Sequence, residues 1–301
     1  MDPESRNYDI FNAFLQDDIS FSDRRLHLTL GSKFEYNDFT HSEIQPNARL
    51  LWKPNDRHSL WAAVSRAVRT PSRVETASTA LISVIPPPAM GPLPVAVKFS
   101  ASEDFDAEKL TAYELGYRIQ VSSELSFDTA FYFNDYKDLR QTVTGAPIFG
   151  PTYTTLPVTG TNETKGEIYG FELAADWKPT AWSRIQAAYT YMDIDMDSGV
   201  GSILREQDPN FQLSLRTSFD LPWDLELDFW YRHIGKVSDT IGAYDAFDAR
   251  IGWHYNEHLE LSIVGQNLFD SHHPEFEDEG LHYVSTEVER GFYGKATWTF
   301  D

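Results

Sequence analysis

Residues 209–235, PNFQLSLRTSFDLPWDLELDFWYRHIG, decide the architecture. Phe211, Leu213, Leu215, Thr217 and Phe219 alternate with Gln212, Ser214, Arg216 and Ser218. After Pro222-Trp223 the pattern resumes, with Leu225, Leu227, Phe229 and Tyr231 set against Glu226, Asp228, Trp230 and Arg232. Successive strand side chains point to opposite faces, so this period of two gives one apolar and one polar face. Two such runs around a tight turn predict an antiparallel hairpin. The ionisable face suits either bulk water or a hydrated lumen.

Outward from this hairpin the same alternation recurs, as in Leu26, Leu28 and Leu30, and helical spacing is almost absent. It predicts about thirteen strands: 8–21, 24–37, 44–53, 58–68, 108–120, 123–138, 165–178, 182–193, 209–221, 224–235, 244–255, 258–268 and 291–300. Most are ten residues or longer. Soluble strands usually run about five or six residues, whereas a tilted membrane-spanning strand needs about nine to eleven. The connections alternate as well. Short ones fall at Ser22-Asp23, 54–57, Val121-Ser122, 179–181, Pro222-Trp223 and Asn256-Glu257; long ones cover 38–43, 69–107, 139–164, 194–208, 236–243 and 269–290. Tight periplasmic turns and extended outer loops are the pattern of outer-membrane barrels. Trp52, Trp61, Trp177, Trp182, Trp253 and Trp298 lie at or near predicted strand ends, where an aromatic girdle meets lipid headgroups. The competing architecture is a soluble β-sandwich or propeller, whose strands also alternate.

Composition narrows the function. Among 301 residues, 46 Asp and Glu against 25 Lys and Arg give a formal charge of -21, which disfavours nucleic acid, whose binding rests on cations. A mean hydropathy of -0.42 and no apolar run of helical-span length exclude a helical membrane protein. The nearest approach, 79–97, is broken by Pro86, Pro87, Pro88, Pro92 and Pro94 and reads as a loop. With no cysteine there is no disulfide, thiolate metal site or cysteine nucleophile. Neither a G-x-S-x-G elbow nor a Walker-type loop occurs, so an enzyme is not expected, and no cofactor is implied.

If short turns are periplasmic, the first and thirteenth predicted strands both run inward. Single-chain barrels have even strand numbers with both ends periplasmic, so an odd count predicts further strands before residue 1. Met1-Asp2-Pro3-Glu4-Ser5-Arg6 lacks the basic-then-apolar pattern of a secretory signal, which on this reading lies upstream too.

Several segments resemble the TonB-dependent outer-membrane receptors. They are 46–54 (PNARLLWKP) with 59–72 (SLWAAVSRAVRTPS), 108–118 (EKLTAYELGYR), 166–173 (GEIYGFEL), 187–193 (AAYTYMD) and 264–270 (VGQNLFD), in the family's order. The last predicted strand, 291–300, ends on Phe300 as the family's final strand ends on an aromatic, although Asp301 follows. The resemblance spans nearly the whole chain. It implies a transmembrane β-barrel of about 22 strands with an internal plug, a type of outer-membrane transporter, and makes 1–301 the C-terminal portion. It also implies uptake of a scarce solute, most often a ferric siderophore, across the outer membrane of a Gram-negative bacterium. The implied partners are an iron chelate or other small solute, outer-membrane lipid, and a plug domain and TonB complex reached through an N-terminal part. A passive porin-like channel and a soluble carbohydrate-binding β-domain are the alternatives.

Candidate sites follow from the loops and the polar face. Loops 69–107 and 139–164 are long enough to fold over a solute, and Arg69, Phe99, Arg140, Phe149 and Tyr153 are their candidate contacts. Arg69-Thr70-Pro71 resembles the box of haem receptors, but no histidine lies between it and Glu108 to ligate haem. His272 and His273, with Glu275, Glu277, Asp278 and Glu279, form the densest ligand-type cluster. Asp193, Asp195 and Asp197 resemble the opening of a calcium loop, but Ser198 and Leu204 occupy the positions that want Gly and Glu. Glu114, Glu172, Arg216, Glu226, Asp228, Arg232, Arg250 and Glu260 are predicted to face the lumen and plug, since lipid would penalise them.

Overall fold

Strand pairing follows the alternation from one end of the chain to the other. The computed structural model describes residues 7–21, 25–102, 104–197, 208–276 and 286–300. Its strands are β1 (Ile10–Phe21), β2 (Leu26–Asn37), β3 (His41–Asn55), β4 (His58–Arg69), β5 (Thr79–Ile85), β6 (Val95–Ser100), β7 (Glu108–Gln120), β8 (Leu125–Thr144) and β9 (Ile148–Phe149). They continue with β10 (Thr154–Thr180), β11 (Ser183–Met196), β12 (Phe211–Leu221), β13 (Leu225–Ile234), β14 (Tyr244–His254), β15 (Leu259–Gln266), β16 (His272–Pro274), β17 (Glu287–Glu289) and β18 (Gly291–Trp298). One short helix, α1 (Arg73–Ala77), follows β4.

The wall of the molecule is a single antiparallel path, β1-β2-β3-β4-β7-β8-β10-β11-β12-β13-β14-β15-β18. These thirteen are the strands that the alternation predicts. The sheet is open: β1 pairs only with β2, and β18 only with β15, among the described residues. Tight turns join the strands at one end. Between β12 and β13, Trp223 and Asp224 both have positive φ, of 67° and 58°, which reverses the chain at once at some conformational cost. Between β14 and β15, the Asn256 side chain accepts from the backbone N–H groups of His258 and Leu259, both at 2.9 Å. The predicted turn at Ser22-Asp23 lies outside the described residues.

Register carries each face around the sheet. One row runs Leu50, Ala62, Leu115, Phe131, Phe171, Tyr191, Phe211 across consecutive strands. The neighbouring row, Arg49, Ala63, Glu114, Tyr132, Gly170, Met192, lies on the other face. Two glycines of the family-like motifs have a packing reason. A Cβ on Gly116 would lie inside the indole of Trp61, and one on Gly170 would strike the Tyr132 phenol, so each glycine admits a ring from the adjacent strand.

Among the described residues nothing covers the apolar face. Leu50, Leu115, Phe131, Leu173, Leu215, Ile251 and Ile263 are all exposed. Buried apolar residues are Val95, Ala96, Phe105, Ala107, Val158, Val237, Ile241 and Ala246, and they sit in the long connections, in the outer part of β10 or, for Ala246, opposite Arg232 on the polar face. A soluble sandwich would bury its inner rows against a second sheet. Each Leu or Phe side chain gains roughly 1.5–3 kcal/mol on leaving water, so a face of this kind belongs against hydrocarbon. Trp52, Trp177, Trp182, Trp253 and Trp298 are exposed near the tight-turn end, as a girdle requires. Trp61 departs from that expectation: it lies over Gly116 on the polar face, because its register position shares parity with Ala63 and Glu114.

The long connections hold more structure than the alternation predicts. The stretch 79–97, read as loop, contains β5 and the start of β6, joined through its prolines. Connection 139–164 contains the end of β8, all of β9 and the first residues of β10. These segments are strands because they pair with one another. β6 runs parallel to Thr154–Thr159 of β10, an association between chain segments far apart in sequence that a local period does not reveal. The wall register breaks where the loop sheet begins: Asp138 has a φ of 56°, and β10 shifts register between Thr161 and Gly166. Asn162 bridges the break, its Nδ2 donating to the carbonyls of Asp106 at 3.2 Å and Asp138 at 2.8 Å.

Leu115→Arg, on the apolar face of β7, should destabilise membrane-inserted protein by about 2–4 kcal/mol, whereas Ala112→Arg on the other face should cost much less. Heat-modifiable migration checks this with the segment carried in a closed receptor barrel. Residues 1–301 produced alone should give no heat-modifiable band, because β1 and β18 leave backbone groups unpaired.

Candidate ligand-binding site

Arg69 ends β4 at the long-connection end and is held between two carboxylates. Its Nε and one terminal nitrogen donate to Glu108 at 2.6 and 2.7 Å. Its terminal nitrogens also donate to Glu75 at 2.8 and 3.2 Å. Glu108 opens β7, the Cα partner of Arg69 across the β4–β7 ladder, so register brings this pair together. Glu75 arrives through α1. The Ser72 backbone N–H donates to its carboxylate at 2.7 Å, a capping arrangement that turns the side chain back toward the strand end. Arg140 joins from β8: its backbone N–H donates to Glu108 at 3.0 Å and its guanidinium lies 3.5 Å from Glu75. Both predicted contact arginines are therefore committed to carboxylates. Burial raises the Glu75 carboxyl, but hydrogen bonds from Arg69 and Ser72 outweigh it and bring it from 4.5 to about 2.

The three aromatic candidates share one loop sheet. Phe99 lies in β6, half-buried against Gly160 and paired with Val158 of β10. Phe149, in β9, is 82% exposed. Tyr153 precedes β10, with the Lys98 ammonium 5.4 Å from its ring centroid. β5 forms the free edge of this sheet, pairing only with β6. Glu75, Glu108 and Lys98 are the residues that sequence reasoning missed, and the Ser72-x-x-Glu75 capping signature was the available signal.

The histidine pair separates. His273 is 4% exposed, with its ring stacked on Tyr244 at 4.4 Å, Nδ1 3.3 Å from Asn267 Nδ2 and Nε2 3.1 Å from Glu275. It fastens the β16–β17 hairpin to the turn at Asn267, whose φ is 51°. His272 is exposed, 3.6 Å from Glu287. Glu277, Asp278 and Glu279 lie outside the described residues, as do Ser198 and Leu204 of the calcium-like pattern. Asp193 and Asp195 are the Cα partners of Tyr169 and Glu167 at the outer end of β11, and Asp197 follows that strand. Among the described residues no three His, Asp or Glu side chains are grouped so as to hold a metal ion.

Register places all eight predicted wall residues on the polar face. Five of them join into ion-pair networks near the tight-turn end and just above it. Arg250 pairs with Glu226 at 2.7 Å, Asp228 at 2.8 Å and Glu260. Arg232 pairs with Asp248 at 2.7 Å and stacks 4.2 Å over Trp230. Arg216 sits 6.0 Å from the same indole. Glu114 and Glu172 have no ion-pair partner among the described residues.

A family model described as "TonB dependent receptor-like, beta-barrel" matches residues 2–268. A search of curated proteins found no match. Among solved structures, the siderophore receptor PirA from Acinetobacter baumannii superposes with a TM-score of 0.77 at 18% identity, over 97% of this chain and 46% of that one. A mutant of the ferric enterobactin receptor PfeA from Pseudomonas aeruginosa gives 0.76 at 17% identity, over 97% and 45%. The FpvAI–pyocin S2 complex gives 0.70 at 16%, over 97% and 39%. The chain thus spans less than half the length of these receptors, and at this identity the likeness is one of fold.

Glu75→Gln should loosen the 69–107 connection, making the 85–94 segment more quickly cut by proteases at neutral pH. In the unchanged protein the folded carboxyl titrates near 2 and an ordinary glutamate at 4.5. The clamp therefore stabilises fully above about pH 4.5 and fails as pH falls through about 2, which pepsin digestion across acid pH would display.

Proposed function

The chain belongs to the TonB-dependent receptor-like β-barrel family, and from that premise we propose that it forms the wall and outer loops of a Gram-negative outer-membrane receptor for a ferric siderophore. In this reading the apolar face meets lipid, the polar face meets a plug domain, and the TonB complex supplies the energy. The receptor carries its solute unchanged and is not an enzyme. One observation carries the reading above others: the matched region, 2–268, takes in the long connections 69–107 and 139–164 together with twelve of the thirteen wall strands. The architecture supports it physically. A barrel that includes a wall of this breadth has a lumen too wide for side chains to fill, which suits a plugged transporter. The loop sheet of β5, β6, β9 and outer β10 stands on the end where a solute would arrive, and the Arg69 clamp holds it to the wall.

The test is uptake of radioactive iron chelates by iron-starved cells expressing the full-length gene product. Uptake should be saturable and should fall by about tenfold or more when the proton-motive force is collapsed. Uptake that persists unchanged would point to a passive porin-like channel instead.

A further inference from the structure

Charged residues make up 24% of the chain, yet none occurs from Ala77 to Val97 or from Gln141 to Asn162. These two neutral stretches are brought together by the fold. Val95–Ser100 of β6 lies parallel to Thr154–Thr159 of β10, β5 flanks β6, and β9 pairs with Thr154 and Thr155. One sheet results at the outer end of a molecule whose formal charge is -21, and Lys98 of β6 is the single charged side chain on it. Leu81, Ile82, Val84, Ile148 and Phe149 are exposed on it, Leu81 by 59%, and Met90 is exposed in the turn that joins β5 to β6. Water-facing apolar side chains concentrated in this way mark a contact surface.

Cations around this sheet are already engaged. Arg69 and Arg140 are bound by Glu75 and Glu108, and Lys98 rests over Tyr153. A polyanionic ligand would have to displace two carboxylates from the arginines, and the remaining field of the chain repels it. We propose that the sheet formed by β5, β6, β9 and outer β10, whose one charge, Lys98, rests over the Tyr153 ring, receives a chelate of no net negative charge with an apolar surface, and discriminates against polyanionic chelates. This rests on the uptake reading above and specifies its solute. A ferric tris-hydroxamate, which is neutral, has the right chemistry; a ferric tris-catecholate, a trianion, has the wrong one.

The experiment measures binding of two probes, ferrichrome and ferric enterobactin, to the full-length gene product in detergent. The neutral probe should bind about tenfold or more tightly than the trianion. Glu75→Gln, which frees the Arg140 guanidinium and leaves Arg69 on Glu108 alone, should narrow that ratio by strengthening trianion binding. Leu81→Asp and Phe149→Asp, at exposed positions that leave the wall intact, should weaken the neutral probe by about fivefold or more. Equal or tighter binding of the trianion, or no effect of the two aspartates, overturns the charge assignment while leaving iron-chelate uptake standing. If neither probe binds, the uptake reading falls and this inference with it.

Discussion

A sheet with one apolar face and no second layer has to find its apolar partner outside the chain. Leu115, Phe131, Ile251 and Ile263 remain exposed although every wall strand is paired on at least one side. Hydrocarbon resolves this, and at the same time demands that every backbone donor and acceptor within it be paired by neighbouring strands. Long strands, tight turns at one end and strict antiparallel order all follow from that demand. The girdle tryptophans follow as well, since their rings suit the boundary between hydrocarbon and water.

The polar face answers a different need. Charges there are gathered rather than scattered: Arg250 serves three carboxylates, and Arg232 combines an ion pair with a stacked indole. Such pairing keeps the side chains ordered where neighbouring water competes, and Glu114 and Glu172 stand outside it, without an ion-pair partner among the described residues. The face is smoothed in places by glycine, where Trp61 and Tyr132 lie flat over Gly116 and Gly170. Those glycines sit in the segments by which the family is recognised, so the motifs record ring-over-glycine packing of the wall.

Beyond the wall, two of the connections stop behaving as separate loops. Asp138 and the shift between Thr161 and Gly166 release β8 and β10 from wall geometry, and Asn162 ties the released strands to the 104–107 segment. The parallel pairing of β6 with β10 then makes one body out of connections 69–107 and 139–164. Phe105 and Ala107, at 4% and 1% exposure, supply the small apolar core that this body needs. Phe99 and Phe149 are thereby placed on paired strands, which hold position better than free loops.

The thirteen wall strands, their two faces and the division into short and long connections were legible in the sequence, because alternation is a local property of each strand. The eight polar-face residues were legible for the same reason. Tertiary structure alone decided what those residues meet. Phe211 and Leu213 announce their face by parity, but nothing near Arg69 announces Glu108, the Ser72-x-x-Glu75 capping signature marks a helix start without naming the arginine it serves, and nothing near His273 announces burial against Tyr244. Trp61 reads as a girdle residue until register turns it to the polar side. Likewise 79–97 reads as a proline-broken loop until β10 supplies the edge that makes part of it a strand. The physical reason is one of range: a period of two is written within a few residues, whereas ion pairs, burial and strand partners depend on segments that only the folded chain brings side by side.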